Sequence, residues 1–116
     1  MLGSISKTLK NIFGTKYERD VNTYMPFVHQ IHEIYEGLHK LSNDELRNKT
    51  RELKSRIAEH LTGIDTDIKN IQEEAVNEED VLRKEELFAE IDALQEERDK
   101  ELEIILKDIL AEAFAV

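Results

Sequence analysis

Apolar residues recur along this chain every three or four positions, the spacing of helix faces. Leu2, Ile5, Leu9, Ile12 and Phe13 form the first face, with Lys7, Lys10 and Lys16 beside it and no acid before Glu18. This predicts a short basic amphipathic helix ending at Gly14, since glycine tolerates the left-handed conformation common just past a helix. A second face follows in Val21, Tyr24, Met25, Val28, Ile31, Ile34, Tyr35, Leu38 and Leu41, over about six turns. Pro26 interrupts it. Proline lacks an amide donor and crowds the preceding turn, so the helix either starts near Pro26 or bends there.

Residues 40–57, KLSNDELRNKTRELKSRI, carry the clearest local signal. Ser42 can accept from the amides of the next turn while Glu45, three residues on, reaches back to the Ser42 amide, a capping box. Asn43, Asp44 and Glu45 add negative charge at the positive end of the helix dipole, and Leu46, Leu53, Ile57 and Leu61 mark the buried face. Gly63 is expected to bend or briefly break this helix, although Ile64, Ile68, Ile71 and Ala75 or Val76 resume the period at once, with Asp65 as a candidate new cap. The polar run Asn77, Glu78, Glu79, Asp80 is the better place for a reversal of direction.

Beyond it, Leu87, Ile91, Leu94, Leu102, Ile105, Ile109 and Ala113 form a stripe. Leu87, Arg98 and Ile109 step by eleven residues, as do Ile91, Leu102 and Ala113, a period that suits nearly straight pairing rather than a tight zipper. Arg98 and Glu101 sit near the middle and should weaken packing there. The expected fold is all-α: a helical bundle with a long antiparallel, coiled-coil-like helical hairpin.

Composition agrees, with 36% charged residues, 6% aromatics, one proline and no tryptophan among 116 residues. The net charge of −10 argues against a chain-wide nucleic-acid surface, and no nucleic-acid partner is expected. Charge is unevenly spread. Residues 65–103 hold sixteen acids and five bases, whereas residues 1–16 hold three lysines and no acid. The acidic stretch reads as a solvated face or as a partner-binding arm. The basic start reads as a helix folded onto the rest, or as one lying apolar face down on anionic lipid or a membrane partner. The absence of cysteine excludes disulfides and thiolate metal sites, and no apolar run is long enough to span a bilayer.

Candidate chemistry is sparse. Gly3, Gly14, Gly37 and Gly63 are too far apart to build a phosphate-cradling loop, so this stretch is not expected to bind ATP by itself. Ser4, Ser42 and Ser55 lack the histidine and acid pattern of an activated nucleophile. The sharpest metal candidate is HQIHEIYEGLH, in which His29, His32, Glu36 and His39 share one side of a helix. Glu36 and His39 match the Glu-x-x-His unit of di-iron bundles, but no second such unit exists and H-E-x-x-H is not formed, so a polar helix edge is the preferred reading. No catalytic, cofactor-binding or metal residue is assigned.

Three segments resemble the SecA family of bacterial preprotein translocase ATPases. LKNIFGTKYERD is similar to that family's K-x-F-G-[ST]-x-x-x-R opening through Ile12 to Arg19, KLSNDELRNKT to its K-L-S-x-[DE]-E-L-x-x-K-T segment, and EAFAV to its P-E-A-F-A segment, in the order seen at the family's amino end. Ala111 stands where the family has proline. Residues 58–106 have no clear counterpart in these motifs.

The resemblance implies an amino-terminal part of a motor that couples ATP hydrolysis to protein export through the SecYEG channel, with ATP and Mg bound further along the parent and no nucleotide-binding motif here. It favours the membrane reading of the basic start, making Leu2, Ile5, Lys7, Leu9, Lys10, Ile12, Phe13 and Lys16 the contact with acidic phospholipid or the channel. The implied layout is a basic helix at 1–16, family helices at 17–62, an inserted acidic hairpin at 63–110 and a link toward a nucleotide-binding domain at 111–116. Preprotein is a partner of the parent, and a homodimer is one further assembly. The location implied is cytoplasmic and peripheral, on the cytoplasmic face of the bacterial inner membrane. The alternative is a free-standing helical scaffold or chaperone-like protein binding partners through helix grooves; a reading frame running past Val116 into a glycine-rich phosphate loop would decide against it.

Overall fold

The structure, a computed structural model, describes Gly3, residues 7–9 and residues 13–116. Of the basic segment, Gly3, Lys7, Thr8, Leu9 and Phe13 are helical, and the positions assigned to Leu2, Ile5, Lys10 and Ile12 lie outside the described residues. Three long helices follow: α1 (Lys16–Leu38), α2 (Asn43–Asn77) and α3 (Val81–Ala115). Among the described residues there is no strand.

Gly14 separates the first segment from α1 with a φ of 68°, the left-handed conformation expected of it. The next residue starts α1. Thr15 Oγ1 accepts from the Glu18 amide at 3.2 Å, and the Thr15 amide donates to Glu18 Oε2 at 2.7 Å, so T-K-Y-E is a capping box that the sequence reading passed over. With this start fixed, Pro26 falls well inside α1, and the missing proline amide leaves the Asn22 carbonyl without its usual intrahelical donor.

The box at Ser42 is present as expected, with the Ser42 amide 2.7 Å from Glu45 Oε2 and the Glu45 amide 3.3 Å from Ser42 Oγ. From there α2 runs unbroken to Asn77, through Gly63. The expected break is absent: one glycine costs a helix about 1 kcal/mol, less than the burial of Leu61 and Ile68 on either side returns, and Asp65 caps no new helix, its carboxylate receiving the Arg98 guanidinium of α3. Glu78, Glu79 and Asp80 then reverse the chain, and Asp80 Oδ1 caps α3 by accepting from the Leu82 amide at 2.9 Å.

Helices α2 and α3 pack along their length as an antiparallel hairpin, and α1 packs against α3. The hairpin interior is divided. Near the turn, Ile68, Ala75, Leu87 and Ile91 are buried together, flanked by Ile64, Ile71 and Leu94. At the open end, Leu53, Ile105 and Ile109 form a second cluster with Ile57 and Leu102. Each fully buried leucine or isoleucine contributes about 1.5–3 kcal/mol by leaving water. Ala113, assigned to the stripe, is exposed, while Ala111 and Ala115 are buried in its place. This end of α3 has neighbours beyond α2. Ala111 faces α1, and Ala115 adjoins Tyr35, Leu38, Leu41 and Leu46.

Candidate functional site: two exposed faces and a clamped hairpin

Three kinds of surface bear on function. The first is the basic start. Lys7, Leu9, Phe13 and Lys16 are all exposed, Leu9 at 50% and Phe13 at 61% of their full surface, so each is available to an external contact. Phe13 also borders an open depression of about 410 Å³ shared with Tyr17, Val21 and Asn22 of α1.

The second is a groove between α1 and the end of α3. Tyr24, Phe27, Val28 and Ile31 line one wall and Leu110, Ala111 and Phe114 the other, enclosing about 550 Å³ with Lys107 at the rim. Helix α1 has no fully buried residue, and Tyr24, Phe27, Val28 and Tyr35 stay largely open. Its apolar face is broader than one neighbouring helix can cover. Phe27 lies on this face, three residues after Tyr24 and four before Ile31, and the sequence reading omits it.

The third is the charged edge of the hairpin. Near its open end Arg56 reaches Asp108 at 3.1 Å and Glu112 at 2.7 Å, and Lys49 lies 2.9 Å from Glu52 and 3.9 Å from Glu112. The hydrogen bond from Lys49 to Glu52 is the main reason its ammonium is held above the ordinary lysine value. Midway, His60 Nε2 lies 2.7 Å from Glu101 Oε2, beside the Arg98 to Asp65 pair. At the turn, Arg83 joins Glu86 at 3.1 Å and Glu74 at 3.3 Å, and those two bonds raise its guanidinium further. Apart from the part-buried bond between Arg56 and Glu112, these cross-helix pairs lie toward solvent, where an ion pair is worth about 0.2–1 kcal/mol. They set register more than stability.

His29, His32, Glu36 and His39 are all exposed, and His39 packs edge-on against Tyr35 with ring centres 4.5 Å apart. Among the described residues, no group of three or more histidines and acids converges on a metal-sized space. Nor, among them, is any helix long and apolar enough to cross a membrane.

The family model for the SecA DEAD-like domain matches residues 9–116. The match therefore runs through residues 58–106, for which the motifs alone offered no counterpart. Among curated proteins, a protein translocase subunit SecA of Christiangramia forsetii is 40% identical over 111 residues, covering 96% of this chain and 10% of that protein. One of Cytophaga hutchinsonii is 40% identical over 118 residues, covering 100% of this chain and 10% of its own length. A third, of Chloroherpeton thalassium, is 35% identical over 95% of the chain and 11% of its own. No solved structure matches. The chain spans about a tenth of the length of these relatives. With three motifs in family order and a match across the hairpin as well, the chain belongs to the SecA family, as a segment of its amino-terminal end.

Proposed function

We propose that this chain is the docking and support part of a SecA motor that couples ATP hydrolysis to the passage of preproteins through the SecYEG channel. The match to translocase subunits over nearly the whole chain is the observation that carries this reading. Among the described residues, Gly14 precedes α1, Gly37 lies in the last turns of α1 and Gly63 inside α2, which is not the arrangement of a phosphate-cradling glycine loop. ATP and Mg belong to the remainder of the motor.

Within that reading, the basic start is the contact with acidic phospholipid or the channel, at the cytoplasmic face of the bacterial inner membrane. Exposed Lys7 and Lys16 supply charge, and exposed Leu9 and Phe13 supply an apolar edge. Three lysines contribute about 1 kcal/mol each near an anionic surface, enough for weak, salt-sensitive binding. Flotation with vesicles of phosphatidylglycerol and phosphatidylcholine, against phosphatidylcholine alone, tests this. The chain should float only with the anionic vesicles, and replacing Lys7, Lys10 and Lys16 with Gln should lower partitioning by roughly a hundredfold. Equal flotation of parent and variant would remove the assignment.

A further inference from the structure

Three observations converge on the middle of the hairpin. The apolar stripe of α3 is interrupted there: Arg98 stands between Leu94, which packs on the cluster around Leu87, and Leu102, which packs on the cluster around Ile105, while α2 keeps Leu61 buried at the same level. Across from Leu61, α3 presents seven consecutive polar residues at positions 95–101, of which Arg98 and Glu101 pair with Asp65 and His60 at the solvent edge. The third observation is Gly63.

Glycine inside a helix is worth about 1 kcal/mol less than alanine, so its presence usually answers a need for positive φ or for close approach. Neither applies here. Gly14 is the glycine with positive φ, and a methyl group placed on Gly63 would meet nothing within 4 Å. The weakest backbone position of α2 thus coincides with the polar stretch of α3 and with ion pairs that can reform at a slightly different angle, since side chains at a wet edge lose little by moving.

We propose that the hairpin carries an elbow at this level. The outer half, held by Ile68, Ala75, Leu87 and Ile91, tilts as one body relative to an inner half fixed by Leu53, Ile105, Ile109 and the Arg56 bridge to Asp108 and Glu112. Tilting needs transient opening of the α2 turn at Gly63, a slight bend of α3 across its polar residues 95–101 and some repacking of Leu61. A hairpin with a joint can present its acidic turn at more than one angle to whatever it meets.

The chain contains no cysteine, so a pair introduced at Lys54→Cys and Gln72→Cys can carry spin labels across Gly63 on exposed positions of α2. In the 116-residue chain, pulsed dipolar spectroscopy should give a broad distance distribution with a component shorter than the ~27 Å of a straight eighteen-residue span. Gly63→Ala should narrow it toward the longer distance. Amide exchange gives an independent reading: residues 60–67 should exchange faster than the amides beside Leu53 and Leu87, and Gly63→Ala should slow that opening about fivefold. A distribution already narrow in the parent, or exchange that is uniform along α2 and unmoved by Gly63→Ala, would overturn the elbow.

Discussion

At the level of single residues, the two helix starts carry most of the local specification. Ser42 and Thr15 each accept from the amide three residues ahead while Glu45 and Glu18 return to the cap amide, so each box satisfies two donors that a helix start otherwise leaves to water. Ser42→Ala is expected to lower unfolding free energy by about 1 kcal/mol in urea titrations. Glu45 adds a pH dependence. Its carboxyl is held below the ordinary carboxylate value, first by the Ser42 amide and then by the Ser42 hydroxyl. A group with a depressed folded value contributes stability that is present above its unfolded value and lost as pH falls through the folded one. Acidification through and below the ordinary glutamate range should therefore fray the first turn of α2, followed by the exchange rate of the Ser42 amide. In Glu45→Gln that rate should lose its acid-dependent rise.

Among the elements, the hairpin depends on a few apolar contacts and little else. Leu87 is only 1% exposed, and Leu87→Ala should cost about 3 kcal/mol and unfold the outer half first, seen as loss of helical circular dichroism at lower urea. Arg56→Ala should cost less than about 1 kcal/mol, and the difference from the parent should shrink in 1 M salt because its partners lie at a solvent edge. These differences follow from burial, and burial was only partly legible in the sequence. The faces of α2 and α3 were readable because Leu53, Leu61, Ile68, Leu87, Ile91 and Ile109 keep a helical period that water selects. Two features were not. The continuity of α2 through Gly63 depends on the burial of Leu61 and Ile68 on either side, which outweighs the roughly 1 kcal/mol that a helical glycine costs and which local capping rules do not contain. The burial of Ala111 and Ala115 instead of Ala113 depended on the direction from which α1 and the link to α2 approach α3, which periodicity within α3 cannot report.

For the whole molecule, the decisive quantity is surface. The chain measures 70 × 55 × 14 Å with a radius of gyration of 23.2 Å, where a compact domain of this length has about 13 to 14 Å. It exposes 9437 Å² against about 6,500 Å² for a compact monomer of its mass. Much of the excess is apolar and gathers on α1 and the end of α3. An environment-sensitive dye such as anilinonaphthalene sulfonate should bind the folded chain there, and Phe27→Asp should reduce its fluorescence several-fold without loss of helical signal. Unchanged fluorescence would place the dye elsewhere.

The three-residue turn at Glu78, Glu79 and Asp80 also fixes an order of assembly. Ala75 and Leu87 meet across twelve residues, whereas Leu53 and Ile109 meet across fifty-six, and the entropy lost on closing a loop grows with its length. Helix pairing should begin beside the turn and travel like a closing zip toward the open end, with α1 joining last. Conservative truncations at Leu87 or Ile91 should then slow folding, whereas truncations at Leu53 or Ile109 should mainly hasten unfolding in stopped-flow measurements. The tip that projects farthest from the rest of the chain is, on this account, the first part of it to exist.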